Sequence, residues 1–210
     1  MDNNNLPQLS AEEIRVLGAL IEKSRTTPDY YPLTLNSLIT ACNQKSARYP
    51  IVEYEQDTVL EAIDGLKKKG LLANVLGDGR TVKYRQTIAV KYPLDPSEIT
   101  ALGLLFLRGP LTVGEIKNMA GRMYDYEDLE EVQKVLTVLS TAEMPFVAQL
   151  ERKPGQKEAR YFHLFADAPE FVESAGNSSN SGKIQELEER IAVLETLVTD
   201  LKKVLDELMN

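Results

Sequence analysis

The chain has almost none of the residues that hold small proteins together by covalent or metal bonds. It contains one cysteine, Cys42, and one histidine, His163, among its 210 residues, and it has no tryptophan. A single cysteine cannot form a disulfide within the chain and suits a reducing compartment, so we expect Cys42 to be a small buried thiol. One His and one Cys are also too few for a zinc site built from these residue types. We expect neither a metal nor a cofactor.

Long apolar segments and catalytic motifs are missing as well. No run of about eighteen consecutive apolar residues occurs, and the N-terminus has no positive stretch followed by an apolar one. We therefore expect a cytoplasmic protein with no membrane partner. Phosphate-binding glycine motifs and zinc-protease motifs are absent. His163 lies between Phe162 and Leu164 without a partner that would position it for catalysis, so we expect a structural histidine and a protein that is not an enzyme.

An excess of positive charge is the third feature that the chain lacks. The formal net charge is −8, which is not typical of a general nucleic-acid coat protein. The charge is uneven, since residues 1–94 carry +1, residues 95–170 carry −5 and residues 171–210 carry −4. Only the first part of the chain is not acidic.

An internal repeat is the most informative feature that is present. Its matching segments are Leu9 to Gly18 with Leu94 to Gly103, and residues 32–38 with residues 110–116. Ser10 and Asp95 are predicted N-cap residues of the first helix in each copy, and a glutamate three positions on completes a capping box. Thr34 and Thr112 are predicted to cap a second helix.

A third helix and a hairpin follow in each copy. The apolar residues at helical spacing are Val59, Leu60, Ile63 and Leu66 in the first copy and Val132, Val135, Leu136 and Leu139 in the second. Paired strand patterns then cover residues 71–87 and 146–165. Three helices followed by a two-stranded hairpin is the order of a winged helix. The sequence therefore predicts a mainly α fold with small β-hairpins (α+β), built from two tandem winged-helix domains.

The C-terminal part of the chain predicts a linker and a coiled coil. We expect a disordered N-terminus over 1–9, winged-helix domains over 10–92 and 93–168, a linker over 169–182 and a coiled-coil helix over 183–210. Apolar residues alternately three and four apart define the coiled coil: Ile184, Leu187, Ile191, Leu194, Val198, Leu201, Leu205 and Leu208. We expect a homodimer through this helix, with packing back onto the domains as the alternative. The pattern does not decide between parallel and antiparallel helices.

Three segments resemble the YceH-like family, a group of bacterial proteins of unknown function built on tandem winged helices. They are IRVLGALIEKSRTTPDYYPLTLNSLITACNQKSARYP (Ile14 to Pro50), LRGPLTVGEI (Leu107 to Ile116) and PGQKEARYFHL (Pro154 to Leu164). The resemblance covers most of residues 10–165. It implies the fold and a regulatory or DNA-binding role, and it brings no substrate, catalytic residue or cofactor.

Basic residues of the two hairpins are the candidate contacts to nucleic acid. The set is Arg80, Lys83 and Arg85 in the first hairpin, Arg152, Lys153, Lys157 and Arg160 in the second, and Lys45 and Arg48 in a loop of the first copy. Such groups hold phosphates by charge without reading sequence. Alternatively, they only keep the hairpins soluble and pair with Glu151 and Glu158. The segment from Asn36 to Arg48 is either a contact surface or a loop whose amide side chains satisfy backbone groups.

The third helices favour a different interpretation, because their outward faces are mainly acidic. These faces carry Asp57, Glu61, Asp64 and Lys68 in the first copy and Glu127, Glu130, Lys134 and Thr137 in the second. A helix that reads the major groove usually presents Arg, Lys, Asn or Gln. Two hypotheses follow. The first is a dimeric winged-helix regulator that binds double-stranded DNA through basic hairpins, and the second is an adaptor that binds a protein partner and has little DNA affinity.

Overall fold

The repeat in the sequence is a repeat in the structure. A computed structural model of the protein describes residues 6–77, 81–151 and 158–167. It shows a mixed α+β fold in these ranges. The elements are α1 (Ala11–Thr26), a 3₁₀ turn (Pro28–Tyr30), β1 (Leu33–Thr34), α2 (Leu35–Cys42), α3 (Gln56–Lys68), β2 (Leu72–Leu76), β3 (Val82–Gln86), α4 (Ile88–Lys91), α5 (Pro96–Arg108), α6 (Val113–Ala120), α7 (Leu129–Thr141), β4 (Val147–Gln149) and β5 (Tyr161–His163).

The predicted helix starts are confirmed. At α1, the Ser10 hydroxyl accepts from the backbone N–H of Glu13 at 3.2 Å, and the Glu13 carboxylate accepts from the N–H of Ser10 at 2.8 Å. At α5, Asp95 and Glu98 form the same reciprocal pair, at 2.9 Å in both directions. The predicted threonines cap α2 and α6. Both copies therefore begin their helices with the same local hydrogen bonds.

The apolar stripes of the third helices are confirmed with one exception. Val59, Ile63 and Leu66 of α3 are buried, whereas Leu60 is only half-buried. The four predicted positions of α7 are all buried. The stripe of α3 is completed by Ala62, which the apolar pattern did not include.

Each copy pairs its hairpin with the segment before its second helix. In the first copy, β1, β3 and β2 form an antiparallel sheet in that order, and Leu33 lies opposite Tyr84. In the second copy, β4 pairs with β5, and Leu111 forms an isolated bridge to Tyr161. The strands β4 and β5 are shorter than the sequence predicted. The bridging segment at Leu111, like the equivalent strand β1, was not predicted. Segments of two or three residues are too short to show an alternating pattern.

The two copies meet where α1 packs against α5, and glycines make the contact close. A Cβ atom on Gly18 would lie 2.9 Å from the Leu107 side chain, and one on Gly103 would lie 2.6 Å from Ile21 Cγ2. Gly18 of α1 thus faces Leu107, four positions after Gly103, and Gly103 of α5 faces Ile21, three positions after Gly18. These reciprocal contacts place the two equivalent helices symmetrically against each other, and buried residues of both form one core.

The ends of the paired copies are also joined. The backbone N–H of Leu9 donates to the carbonyl oxygen of Phe165 at 2.7 Å. The Phe165 ring packs against those of Tyr92, Phe106 and Phe146, with centroids 5.4–6.4 Å apart. Residues Met1–Ala168 belong to one compact unit, and residues from 168 onward lie outside the described ranges. The predicted domain boundary at 92–93 therefore runs between segments that share a core.

The close approach at Gly103 predicts a stability difference between two glycines. Gly103→Ala adds a methyl group into the Ile21 side chain, and overpacking of this kind costs about 1–3 kcal/mol of the free energy of unfolding. Gly114→Ala, in α6, meets atoms only at 4.0 Å and should be neutral or stabilising by up to about 1 kcal/mol. Urea denaturation of the two variants measures the difference. Equal stability of the two variants would show that the helices do not depend on this contact.

Candidate nucleic-acid interface

A polar, uncharged surface covers the exposed side of α2. Asn36, Ser37 and Thr40 are exposed, while Leu38 and Cys42 face the core. The N-cap hydroxyl accepts from the backbone N–H of Ser37 at 3.3 Å. The start of a helix carries partial positive charge from its first backbone N–H groups. This end of α2 is therefore accessible and contains no acidic residue in its first turn.

Of the two described basic residues of the first hairpin, Lys83 is the one whose backbone lies beside the start of α2. Lys83 of β3 lies directly opposite Thr34, the N-cap of α2, and Arg85 lies opposite Ala73. Alternate residues of a strand project to the same face, so Lys83 and Arg85 share the outer face of the sheet. Arg85 is exposed and Lys83 is half-exposed. Within the described ranges, no carboxylate lies at ion-pair distance from either side chain. The predicted pairing with a neighbouring acid is not found here.

The basic residue of the second hairpin has a different environment. Arg160 donates to both carboxylate oxygens of Glu115, at 2.6 and 2.9 Å, and to the carbonyl oxygen of Pro110 at 3.0 Å. The same carboxylate accepts from the backbone N–H of Thr112 at 2.9 Å. The guanidinium is thus neutralised within its own copy, by Glu115 and not by the Glu151 or Glu158 that the alternative interpretation named.

Arg48 is a structural residue, unlike its neighbour Lys45, which is exposed. The Arg48 guanidinium is buried and donates to both oxygens of Glu22, at 2.6 and 3.1 Å, and to backbone carbonyls of Ala41 and Ala47. Burial alone raises the pKa of Glu22, but the hydrogen bonds and charge of Arg48 outweigh it and lower that pKa. A guanidinium used in this way is not presented to an external phosphate.

The loop between α2 and α3 is held by side chains that bond to backbone groups. Asn43 donates to the carbonyl oxygen of Tyr54 and accepts from its N–H, both at 2.8 Å. Arg15 of α1 donates to the carbonyl oxygens of Cys42 at 3.1 Å and Pro50 at 2.5 Å. The structure thus favours the loop interpretation for Asn43. Sequence reasoning missed Arg15, although a charged residue within the apolar stripe of α1 was a signal for such a role.

Other predicted site residues fall outside the described ranges. They are Arg80, Arg152, Lys153 and Lys157 of the hairpin tips and the heptad positions Ile184, Leu187, Ile191, Leu194, Val198, Leu201, Leu205 and Leu208. Their contributions to DNA binding and to dimer formation stay predictions.

The exposed face of α3 is acidic. Asp57, Glu61 and Asp64 are exposed along it. A groove of about 440 Å³ lies beside this face and extends to the start of α1, where Glu13 accepts from the Lys69 ammonium at 2.5 Å. Among the described residues, no group of three or more His, Cys, Asp or Glu side chains could hold a metal ion. Lys67 and Lys68 are exposed at the end of α3, where Lys67 pairs with Asp64 at 3.6 Å, so the exposed residues of α3 do not form a continuous positive face for the major groove.

Comparison with known proteins assigns the chain to a protein family. A family model described as a protein of unknown function, DUF480, matches residues 9–156. The chain belongs to the DUF480 family. It is 44% identical to a UPF0502 protein of Geotalea uraniireducens over 95% of both chains. It is 43% identical to one of Geobacter sulfurreducens, over 92% of this chain and 90% of the relative, and 39% identical to one of Chromobacterium violaceum, over 95% and 93%.

Two further groups of this DUF480 protein were candidates for chemistry. Burial raises the pKa of the Cys42 thiol to about 12, so its reactive thiolate form is suppressed at neutral pH. The His163 ring packs edge-on against Phe106 with centroids 4.9 Å apart, and its buried Nδ1 has no hydrogen-bond partner among the described residues. Neither the Cys42 nor the His163 side chain is arranged as an acid, base or nucleophile.

Among the helices of residues 6–77, 81–151 and 158–167, none has the length and apolar character of a membrane span.

The environment of His163 predicts a pH dependence of stability. Burial lowers the pKa of His163 from 6.5 to about 4. Between these values the unfolded chain binds a proton that the folded chain does not, so the free energy of unfolding falls as the pH falls through this window. His163→Leu should remove about 2 kcal/mol of the stability loss between pH 7 and pH 5.

The test of this prediction is urea denaturation of wild type and His163→Leu at both pH values. His163 is the single histidine of the chain, so no other imidazole contributes. If the two proteins lose equal stability on acidification, the pKa of His163 is not lowered in the folded state.

Proposed function

We propose that this DUF480 protein binds double-stranded DNA through the phosphate backbone, using its first copy as a winged helix. The observation that carries the proposal is the position of the exposed Arg85 and the half-exposed Lys83 on one sheet face, with Lys83 opposite the N-cap of α2. Cations on a hairpin next to an accessible helix start suit the regular phosphates of a duplex. The order of three helices and an antiparallel hairpin in each copy supports the winged-helix assignment.

The contacts favour binding by charge over reading of sequence. The exposed face of α3, the third helix, carries Asp57, Glu61 and Asp64, which repel phosphates. In the second copy, Arg160 is paired with Glu115. The proposed contacts to DNA therefore come from the first copy, which lies in the only part of the chain without a net negative charge. Dimerisation through residues 183–210 would place two such surfaces on one duplex and raise the avidity.

Removal of the two hairpin cations tests the proposal. Lys83→Ala combined with Arg85→Ala should weaken duplex binding and lower the slope of log affinity against log salt by about two, because each phosphate contact contributes about 0.9. Fluorescence anisotropy with a mixed-sequence duplex over a range of salt concentrations measures both quantities.

The matched control removes two exposed cations of the second copy. Arg122→Ala with Lys134→Ala makes the same change in net charge, outside the proposed surface. The proposal expects a much smaller effect on the salt slope. Equal losses in the two double variants, or no loss in either, would refute a specific phosphate-binding surface on the first hairpin.

The second candidate function is that of an adaptor for a basic protein partner, favoured by the exposed acidic face of α3. It predicts that the full-length protein does not bind duplex DNA even at low salt. It further predicts that another protein copurifies from native cells with the wild-type protein, in a fixed stoichiometric ratio to it. This partner should be lost when Asp57, Glu61 and Asp64 are replaced by Asn, Gln and Asn, which keep the side-chain size but remove the charge.

A further inference from the structure

Three cations and one carboxylate meet where the first copy contacts the second. Glu22 and Lys23 lie in α1 of the first copy. Arg48 lies in the loop after α2, and Arg108 is the last residue of α5 in the second copy. The backbone N–H of the residue after Arg48 donates to the carbonyl oxygen of the residue before Arg108 at 2.8 Å, so the loop is fixed to the end of α5. We call these four side chains the junction cluster.

The Glu22 carboxylate is shared between two of the cations. It accepts from the Arg48 guanidinium at 2.6 and 3.1 Å and lies 3.3 Å from the Lys23 ammonium. The side chains of Glu22 and Lys23 are 13% and 19% exposed, and that of Arg48 is fully buried. One negative charge is therefore surrounded by two positive charges in a mostly buried position, before Arg108 is counted.

Arg108 adds a third positive charge to the junction cluster. Burial lowers the pKa of its guanidinium, and the positive charge of Arg48 lowers it further, while Glu22 raises it. The two guanidiniums are therefore close enough to repel each other. Among the residues that the structure describes, none accepts a hydrogen bond from the half-buried Arg108 guanidinium or forms an ion pair with it.

The fold thus concentrates like charges at a partly buried junction. Arginine and lysine stay protonated at neutral pH, so three positive charges face one negative charge. Removing like charges from water costs free energy unless an opposite charge accompanies them. Charged groups that perturb one another in this way are typical of binding sites. Because Lys23 and Arg108 both stay partly exposed beside the same carboxylate, an anion from the solvent is able to reach them.

We propose that the junction cluster binds a small oxyanion, such as a phosphate group, between α1 and the end of α5. The planar guanidinium of Arg108 donates to two of its oxygens, and the Lys23 ammonium supplies a second positive charge. Arg48 adds charge and holds the loop, but its N–H groups are already used. The ligand therefore contacts both copies. This site does not involve Lys83 or Arg85 and is independent of the proposed function.

Removal of the Arg108 charge tests the site. Arg108→Gln keeps a polar side chain but removes the charge and the paired donors, so it should weaken binding of inorganic phosphate at least about tenfold. Isothermal titration calorimetry of the full-length protein measures this affinity, with the ionic strength held constant by sodium chloride. Arg122→Gln makes the same change at an exposed residue of the second copy, away from the cluster, and is the matched control.

Thermal denaturation separates a binding role of Arg108 from a structural one. Without phosphate, Arg108→Gln relieves the repulsion by Arg48, so its melting temperature should equal or exceed that of the wild type. At a phosphate concentration of ten times Kd, the unfolding equilibrium constant of the wild type should fall about elevenfold, with little change in the variant. A lower melting temperature of Arg108→Gln together with unchanged phosphate affinity would show that Arg108 is only structural.

The combined results decide whether the site exists and which oxyanion it binds. A loss of phosphate affinity confined to Arg108→Gln supports the site, whereas equal affinities in all three proteins, or no binding by the wild type, refute it. Fluorescence anisotropy with a duplex identifies the source. If only Arg108→Gln also loses DNA affinity, the bound group is a phosphate of the DNA backbone. If both variants keep the DNA affinity of the wild type, the ligand is a free anionic molecule.

Discussion

The close contact of α1 with α5 is the constraint on which the described structure depends. It is possible because Gly18 and Gly103 leave no side chain between the two helices, so Leu107 and Ile21 fill the space directly. The buried faces of both helices then contribute to a single core, together with the hairpin residues that close it. Since helices without this contact would expose large apolar faces to water, the two copies stabilise each other as one folding unit.

A repeated frame lets equivalent positions take different charges without a change in the backbone. At the start of α6, Glu115 and Arg160 neutralise each other, whereas Ser37 and Lys83 stand at the equivalent positions of the first copy. Both arrangements are compatible with the same threonine cap, because the cap uses only a hydroxyl and a backbone N–H. The two copies therefore share a backbone frame and differ in the charge of their side chains.

The local charges matter more for function than the total. A net charge of −8 disfavours general binding to nucleic acid, so the proposed DNA binding depends on the local pair of cations, Lys83 and Arg85, on one face of a sheet. The acidic face of α3 lies in the same copy and limits how such a surface approaches a duplex. Membership of the DUF480 family does not resolve this balance, since a fold supports many functions and the site decides among them.

The sequence by itself determined the local structure of the described residues. Capping boxes and apolar stripes depend on neighbours within a few positions, so the starts of α1, α2, α5 and α6 and the order of three helices and two hairpin strands in each copy were predictable, whereas β1 was not. The sequence did not show which charged side chains are buried, which are paired and which are exposed. Arg48 and Lys45 look alike in sequence, but Arg48 is buried because Glu22, far away along the chain, lies within its reach. Arg160 likewise is paired because Glu115 of α6, far away along the chain, lies beside it in the fold. Long-range packing selects the partners of a side chain, and only the tertiary structure shows which charges remain exposed.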